Sequence, residues 1–380
     1  MTTARLRRSA VLLAAAAIAC AQASAAALSD PPGGDRVSAA LWRELGHPGQ
    51  RRARDLLRQA LLQEREASRQ LPGDWPSLCR RAMSPGFGDE SLGAIRGRSR
   101  ALRELVRQAV VRRARLDSAI ARLRLAAELA PDDPEVLYAL ARVLLKWEEP
   151  GPLYRCTVRR QDGEAIEVLE RLRRRQPQFA QSAVAFDLAI VLTRTGRFAE
   201  AAQVYSEAIA LALDPGEAAV MRSNLAEVTM LSGDLEGAIA HYERALRAAG
   251  GGRDYLLPLW GLSVALDRLG EHDAALQHAG KAVHAEGGRM AVLRSDSVFF
   301  EPEHEIHYYE AIGHEALAAR PDADVARELA AAAASWRSFA TAAGDSGPFS
   351  AAARANLERV ERELQVAREK RPKRPPQLRE

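Results

Sequence analysis

Three glycines, Gly196, Gly233 and Gly270, stand 37 residues apart, and the residues around them recur at the same spacing. Before each glycine comes an aliphatic residue followed by a small one: Leu188-Ala189, Leu225-Ala226 and Leu262-Ser263. Five residues after each comes alanine: Ala201, Ala238 and Ala275. Four and seven positions further on stand Tyr205 and Ala208, Tyr242 and Ala245, Ala279 and Ala282. A period of this length describes two helices joined by a turn, a unit that cannot bury its apolar faces alone and must stack on its copies. The glycine is placed to take positive φ and end the first helix. The small residues let the two backbones approach, and the aromatic fills the gap to the next pair.

The pattern resembles the tetratricopeptide repeat, W-x2-L-G-x2-Y followed by A-x3-F and a closing proline. Leu188, Ala189 and Leu192 stand at the L, G and Y positions, and Ala201 and Tyr205 at A and F. A weaker unit precedes these, with Leu140, Ala141 and Leu144, then Ala165, Leu169 and Pro177, interrupted by EEPGPLYRCTVRRQDG. Earlier still, Ala119, Leu123, Ala126 and Pro131 fit a second helix, with a first helix expected over Ala101 to Arg113. A sixth unit follows the array, with Tyr309, Ile312, Gly313 and Ala316, then Ala332, Trp336 and Phe339. The resemblance covers residues 99–343, most strongly 182–289. It implies an all-α, right-handed solenoid of stacked antiparallel helix pairs. The expected division is a leader over 1–27, an N-terminal helical region with a loop over 28–98, and an array of about five repeats over 99–290 with an insertion at 148–163. Repeat-like helices and a capping helix then occupy 291–368, and a basic tail 369–380. Residues 36–72 read as two helices, 73–91 as a loop rich in breakers, and Ala351 to Lys370 as the cap.

Apolar residues make up 47% and aromatics 5% of the chain, which suits many helices packed through small side chains. The formal charge of +4 is carried at the ends. Arg5, Arg7 and Arg8 precede an apolar run from Val11 to Ala19 and small residues through Ala27, the pattern of an export signal too short to span a bilayer. The tail from Arg368 is basic and proline-broken, so the folded part is near neutral and shows no basic stripe for nucleic acid. Contact with a membrane is expected only through that tail or a lipid. Ala17-Ile18-Ala19-Cys20 resembles the bacterial lipobox with alanine where leucine is usual, so Cys20 is either lipidated or discarded with the leader. Cys79 and Cys156 remain, an even pair compatible with one disulfide in an exported protein or with two free thiols. The expected setting is the bacterial envelope, periplasmic or associated with the outer membrane.

Chemistry is sparsely signalled. In EPEHEIHYYEAIGHEA, Tyr308 occupies the second-histidine place of the zinc motif HExxH. His307, Glu310 and His314 share one helical face, and with His304 they form the alternative reading, a metal-dependent enzyme that needs ligands from elsewhere. There is no GxSxG, no P-loop and no GxGxxG after a strand, so neither catalysis nor a cofactor is expected. Gly250-Gly251-Gly252 reads as a turn between units. The family resemblance implies instead a groove for a protein or peptide, lined by the first helix of each pair. Its positions fall on Tyr138, Arg142, Phe186, Ile190, Ser223, Glu227 and Met230, then on Trp260, Val264, Asp267, His307, Glu310 and His314. Trp260 is the expected apolar anchor, with Glu227, Asp267 and Glu310 favouring basic flanks on the partner. Of the lysine, asparagine and arginine set with which some family members grip a C-terminal carboxylate, only Asn224 is present. A structural envelope-assembly lipoprotein is the third reading.

Overall fold

The computed structural model describes residues 48–71, 75, 78–79, 92–151, 158–295, 298, 300–345 and 347–370. Among these residues thirteen α-helices follow one another: α1 (Pro48–Gln70), α2 (Leu92–Leu129), α3 (Pro134–Lys146), α4 (Asp162–Arg175), α5 (Gln181–Arg194), α6 (Phe198–Leu211) and α7 (Pro215–Leu231). There follow α8 (Leu235–Ala248), α9 (Gly252–Arg268), α10 (His272–Ala285), α11 (Glu305–Ala318), α12 (Val325–Ala343) and α13 (Ser350–Glu369). They pack as consecutive pairs, α1 with α2 and so on to α11 with α12, and α13 covers α12. Each first helix also lies on the second helix of the preceding pair, and α7, α9 and α11 touch in succession along one face. None of these helices is long and apolar enough to cross a membrane. The insertion between α3 and α4 carries a short antiparallel ladder, with Glu149 opposite Arg159 and Pro150 opposite Val158.

Local sequence accounts for the helix ends. Asp133 caps α3, its carboxylate accepting from the N–H groups of Glu135 at 3.0 Å and Val136 at 3.2 Å, with Pro134 in the first helical position. Asp214 and Pro215 repeat the device at α7. At the other end of each first helix the three periodic glycines take φ of 71°, 93° and 95°. After each, the next N–H donates to the carbonyl five residues back: Arg197 to Leu192 at 2.9 Å, Asp234 to Thr229 at 3.2 Å and Glu271 to Leu266 at 2.9 Å. The same closure thus ends the first helix in all three units. The periodic small residues and aromatics are in the core: Ala201, Tyr205, Ala208, Ala238, Tyr242, Ala245, Ala275, Ala279 and Ala282 are all buried.

The N-terminal region differs from expectation. The helices expected over Ala101 to Arg113 and through Ala119 to Ala126 are one helix, α2, of 38 residues. No glycine or proline separates Arg113 from Ala119, and a single buried stripe (Leu116, Ala119, Ile120, Leu123, Ala126) continues along it. Its partner is α1, the one helix described within 36–72, which presents Ala53, Leu57 and Ala60. The boundary expected between residues 98 and 99 therefore falls inside a helix. The leader with Cys20 and the tail beyond Lys370 lie outside the described residues. Cys79 is buried in a cluster with Leu71, Trp75 and Ala109, and Val158 of the insertion packs against that cluster. Cys79 is held in a disulfide whose other half is outside the described residues.

A Cβ at Gly233 would meet no atom within 4 Å, so only backbone strain opposes its substitution. Gly233→Ala is expected to cost about 1 kcal/mol in chemical denaturation, through the left-handed conformation alone. Gly163→Ala, equally open but without positive φ, should be neutral or stabilising. Equal midpoints for the two variants would remove the periodic glycine from its role in the turn.

Candidate functional site

The first helices bring together the walls of a cavity of about 390 Å³. Phe186 and Ile190 come from α5, Ser223, Asn224 and Glu227 from α7, and Asp254, Leu257 and Trp260 from α9. The roof is the connection between α10 and α11. A 3₁₀ turn at Ala291–Arg294 buries Val292 and Leu293, and Leu293, Val298, Phe300 and Glu301 line the cavity. Phe300 stands edge-on to Tyr309, with ring centroids 5.0 Å apart. Glu301 ends close enough to Arg160, Asp162 and Arg194 for their charges to act on it. Burial raises the Glu301 carboxyl to about 7, and the two arginines pull it back only in part.

Glu227 is the polar centre of this wall. One carboxylate oxygen, Oε2, accepts from the hydroxyl of Tyr242 on α8 and, at 2.6 Å, from that of Tyr309 on α11. Burial raises the Glu227 carboxyl, and the two hydroxyls draw it partway back. Burial and the neighbouring Glu227 also push both phenols well above their ordinary value, so each remains a neutral donor. Pro258 lies within α9 and has no N–H, so the carbonyl of Asp254, four residues earlier and also on the cavity wall, lacks its helical donor.

Two models of the tetratricopeptide repeat match the chain, one over residues 163–218 and one over 217–284. Residues 163–284 are tetratricopeptide repeats. Among solved structures, MamA residues 41–end from Desulfovibrio magneticus RS-1 aligns at 19% identity and a TM-score of 0.38, over 49% of this chain and 93% of its own. YrrB, described as a TPR protein with an unusual peptide-binding site, aligns at 17% identity and a TM-score of 0.37, over 54% and 96%. The apo form of the quorum sensor NprR from B. thuringiensis aligns at 13% and 0.40, over 74% and 82%. Among curated proteins none matches the chain. Helix α3, before the matched residues, and the pair α11–α12, after them, continue the same stack.

In the repeat frame the expected groove residues divide. Phe186, Ile190, Ser223 and Glu227 line the cavity together with Asn224. Tyr138 and Arg142 lie one unit away, where the Tyr138 hydroxyl donates to Asp187 at 2.9 Å and the Arg142 guanidinium stands over the Tyr138 ring at 5.8 Å. Trp260 is not a free anchor. It is wholly buried, its indole N–H directed at Glu286 and its ring against Gly313 of α11, so it forms the cavity floor as part of the packing between units. Met230 and Val264 are wholly buried too, and Asp267 nearly so. The reason is the chain that follows: the α10–α11 connection, α11 and α13 cover the inner face where an open groove was expected. Glu310 is likewise buried and pairs with Arg294, whose Nε lies 2.8 Å away.

The histidine cluster does not assemble as a ligand set. His307 faces Glu310 at 3.4 Å, His314 faces Glu328 at 2.8 Å, and His304 stands edge-on to Phe339 at 5.3 Å. Among the described residues no three His, Cys, Asp or Glu side chains converge to hold a metal.

The cluster that does assemble was not foreseen, and it joins units five and six to the cap. Asp267 accepts from Tyr308 at 2.6 Å and from Asn356 of α13 at 2.9 Å, and its other oxygen meets His272. Glu315 accepts from the Trp336 indole at 2.7 Å and from Arg359 at 2.7 Å, with His272 at 3.4 Å. Buried Arg268 pairs with Glu305 and lies 4.5 Å from the Tyr308 ring and 4.0 Å from that of Phe349. Phe349 holds a positive φ of 61°. Burial opposes the charge on His272, but its contacts with Asp267 and Glu315 outweigh that and lift it to about 9. Because this value lies above the ordinary 6.5, the stabilisation is complete below pH 6.5 and is lost as pH rises through about 9. Wild-type protein should lose about 1–2 kcal/mol between pH 8 and 10 that His272→Gln does not lose, a figure discounted for the exposed edge of the ring. Parallel stability curves for the two proteins over that window would contradict the assignment.

Proposed function

We propose that this protein is a non-catalytic interaction scaffold of the bacterial envelope, holding a segment of a partner protein on the first-helix face. The observation that carries this reading is the cavity between α5, α7 and α9. It is a concave, largely apolar site with a few convergent polar groups, the composition of a recognition site rather than of packing residue. Its charged lining residues, Glu227, Asp254 and Glu301, are all acidic. That suits a protein segment and opposes a phosphate backbone. The helical repeats supply a rigid frame that needs little rearrangement to receive it.

The envelope setting is supported by the leader pattern and by the disulfide at Cys79, a bond that persists in oxidising compartments. We pair Cys79 with Cys156. Val158, two residues beyond Cys156, packs against the Cys79 cluster, and the bridge would clamp the insertion to α2.

Phe186 is half-buried and lines the cavity, so Phe186→Ala should remove partner surface while leaving the pairs stacked. Capture from envelope extracts by the mature protein is expected to recover a partner that Phe186→Ala recovers at least tenfold less well, with melting temperatures within a few degrees. Equal recovery by both proteins would take the cavity out of the interface. For export, the intact mass of protein from native cells is expected to place its first residue between 24 and 28, or at a lipidated Cys20. An N-terminus at Met1 would exclude the envelope reading.

A further inference from the structure

We infer that the cavity is a receptor for an alkylammonium group, recognised by an aromatic wall and a carboxylate together. The inference rests on the reading of the first-helix face as a recognition surface and names the chemistry it selects. Six aromatic side chains surround this one space: Phe186 and Phe300 keep accessible surface on it, and Tyr205, Tyr242, Trp260 and Tyr309 are packed behind them. Aromatics are 5% of the whole chain, so their convergence here is a local concentration. They come from five helices and the roof segment, so no single helix periodicity explains the grouping.

A purely apolar guest would be served by such a wall without acids. Here three carboxylates share the lining, and no lysine, arginine or histidine is among the lining residues. Ring faces and carboxylates attract the same guest, a cation that sheds water easily, and both interactions strengthen out of bulk solvent. An ammonium carried on alkyl carbons meets both demands, because its stem buries against Ile190 and Leu257 while its head reaches Glu227. The tyrosines fix that head position. Both hydroxyls donate to the same oxygen of Glu227, Oε2, which orients the carboxylate before a guest arrives. Asp254 is exposed at the rim, placed to draw a cation inward.

The electrostatics of the cavity agree. Burial disfavours the charged forms of Glu227 and Glu301. Around Glu227 stand Tyr242, Tyr309, Arg268 and Glu305; around Glu301 stand Arg160, Arg194, Asp162 and Glu303. A bound cation reverses the balance and favours both carboxylates, so binding should release protons and tighten as pH rises from 6 to 8, by at most about tenfold for one such group.

Choline, and its neutral isostere 3,3-dimethylbutan-1-ol, titrated calorimetrically into the mature protein, separate charge from shape. Choline is expected to bind about tenfold more tightly than the alcohol, and more tightly at pH 8 than at pH 6. Glu227→Gln keeps an acceptor for both tyrosines and should weaken choline about tenfold with the melting temperature retained. Should that variant unfold, Ser223→Lys places a competing ammonium at the half-buried wall and should abolish choline binding instead. Equal affinities for choline and the alcohol, or undiminished choline binding by the folded variant, would overturn the inference. A capped tripeptide with one central lysine distinguishes the source of the group. Tighter binding of that peptide than of choline assigns a lysine of the partner, and the reverse order a free small amine. If choline fails while Phe186→Ala still loses its partner, the alkylammonium reading falls and the interaction surface stands.

Discussion

The structure depends on how closely two helices of a pair can cross, and alanine sets that distance. Ala189 and Ala201 of the α5–α6 pair, and Ala226 and Ala238 of the next, are all without exposed surface. Larger side chains there would push the backbones apart, and overpacking of this kind typically costs about 1–3 kcal/mol. The close crossing leaves the aromatics of the second helices nowhere to go except toward the following first helix. Gly261 makes room for one of them, since a Cβ there would stand 2.2 Å from Tyr242 Cζ. The ring thereby passes between helices and delivers its hydroxyl to Glu227. The small-residue contact that builds the repeat thus also equips its inner face with hydrogen-bond donors.

What was legible in the sequence was what repeats. The glycine period, the alanine pairs, the tyrosines and the helix order from α3 to α13 follow from local spacing and are found in place. Features made by contact between distant segments were not legible. Trp260, Val264 and Asp267 hold first-helix positions that would face a groove in an uncovered array, but here the 3₁₀ turn at Ala291–Arg294, α11 and α13 pack over that face. A signal for that covering existed: the connection between α10 and α11 carries Val292, Leu293, Val298 and Phe300, an apolar content that a solvated linker has no use for. In the same way, the stretch between Arg113 and Ala119, free of glycine and proline, is the signal for one helix in place of two.

The covering changes the mechanics of the stack. An ideal solenoid joins each unit only to its neighbours, so its stability is a sum of local terms and its ends can fray. Here Glu227 of the fourth unit is bound by Tyr309 of the sixth, and Glu301, just before the sixth, interacts with Arg160 and Arg194 of the second and third. The Asp267 and Glu315 clusters tie the fifth and sixth units to α13 through buried charges, which lose most when one partner is removed. These long-range ties surround the cavity on the side of the sixth unit and across its roof. Loosening the sixth unit would withdraw Tyr309 from Glu227 and Phe300 from the roof in one step. The shape of the cavity is therefore set by the stability of the C-terminal half, even though most of its walls belong to the regular repeats.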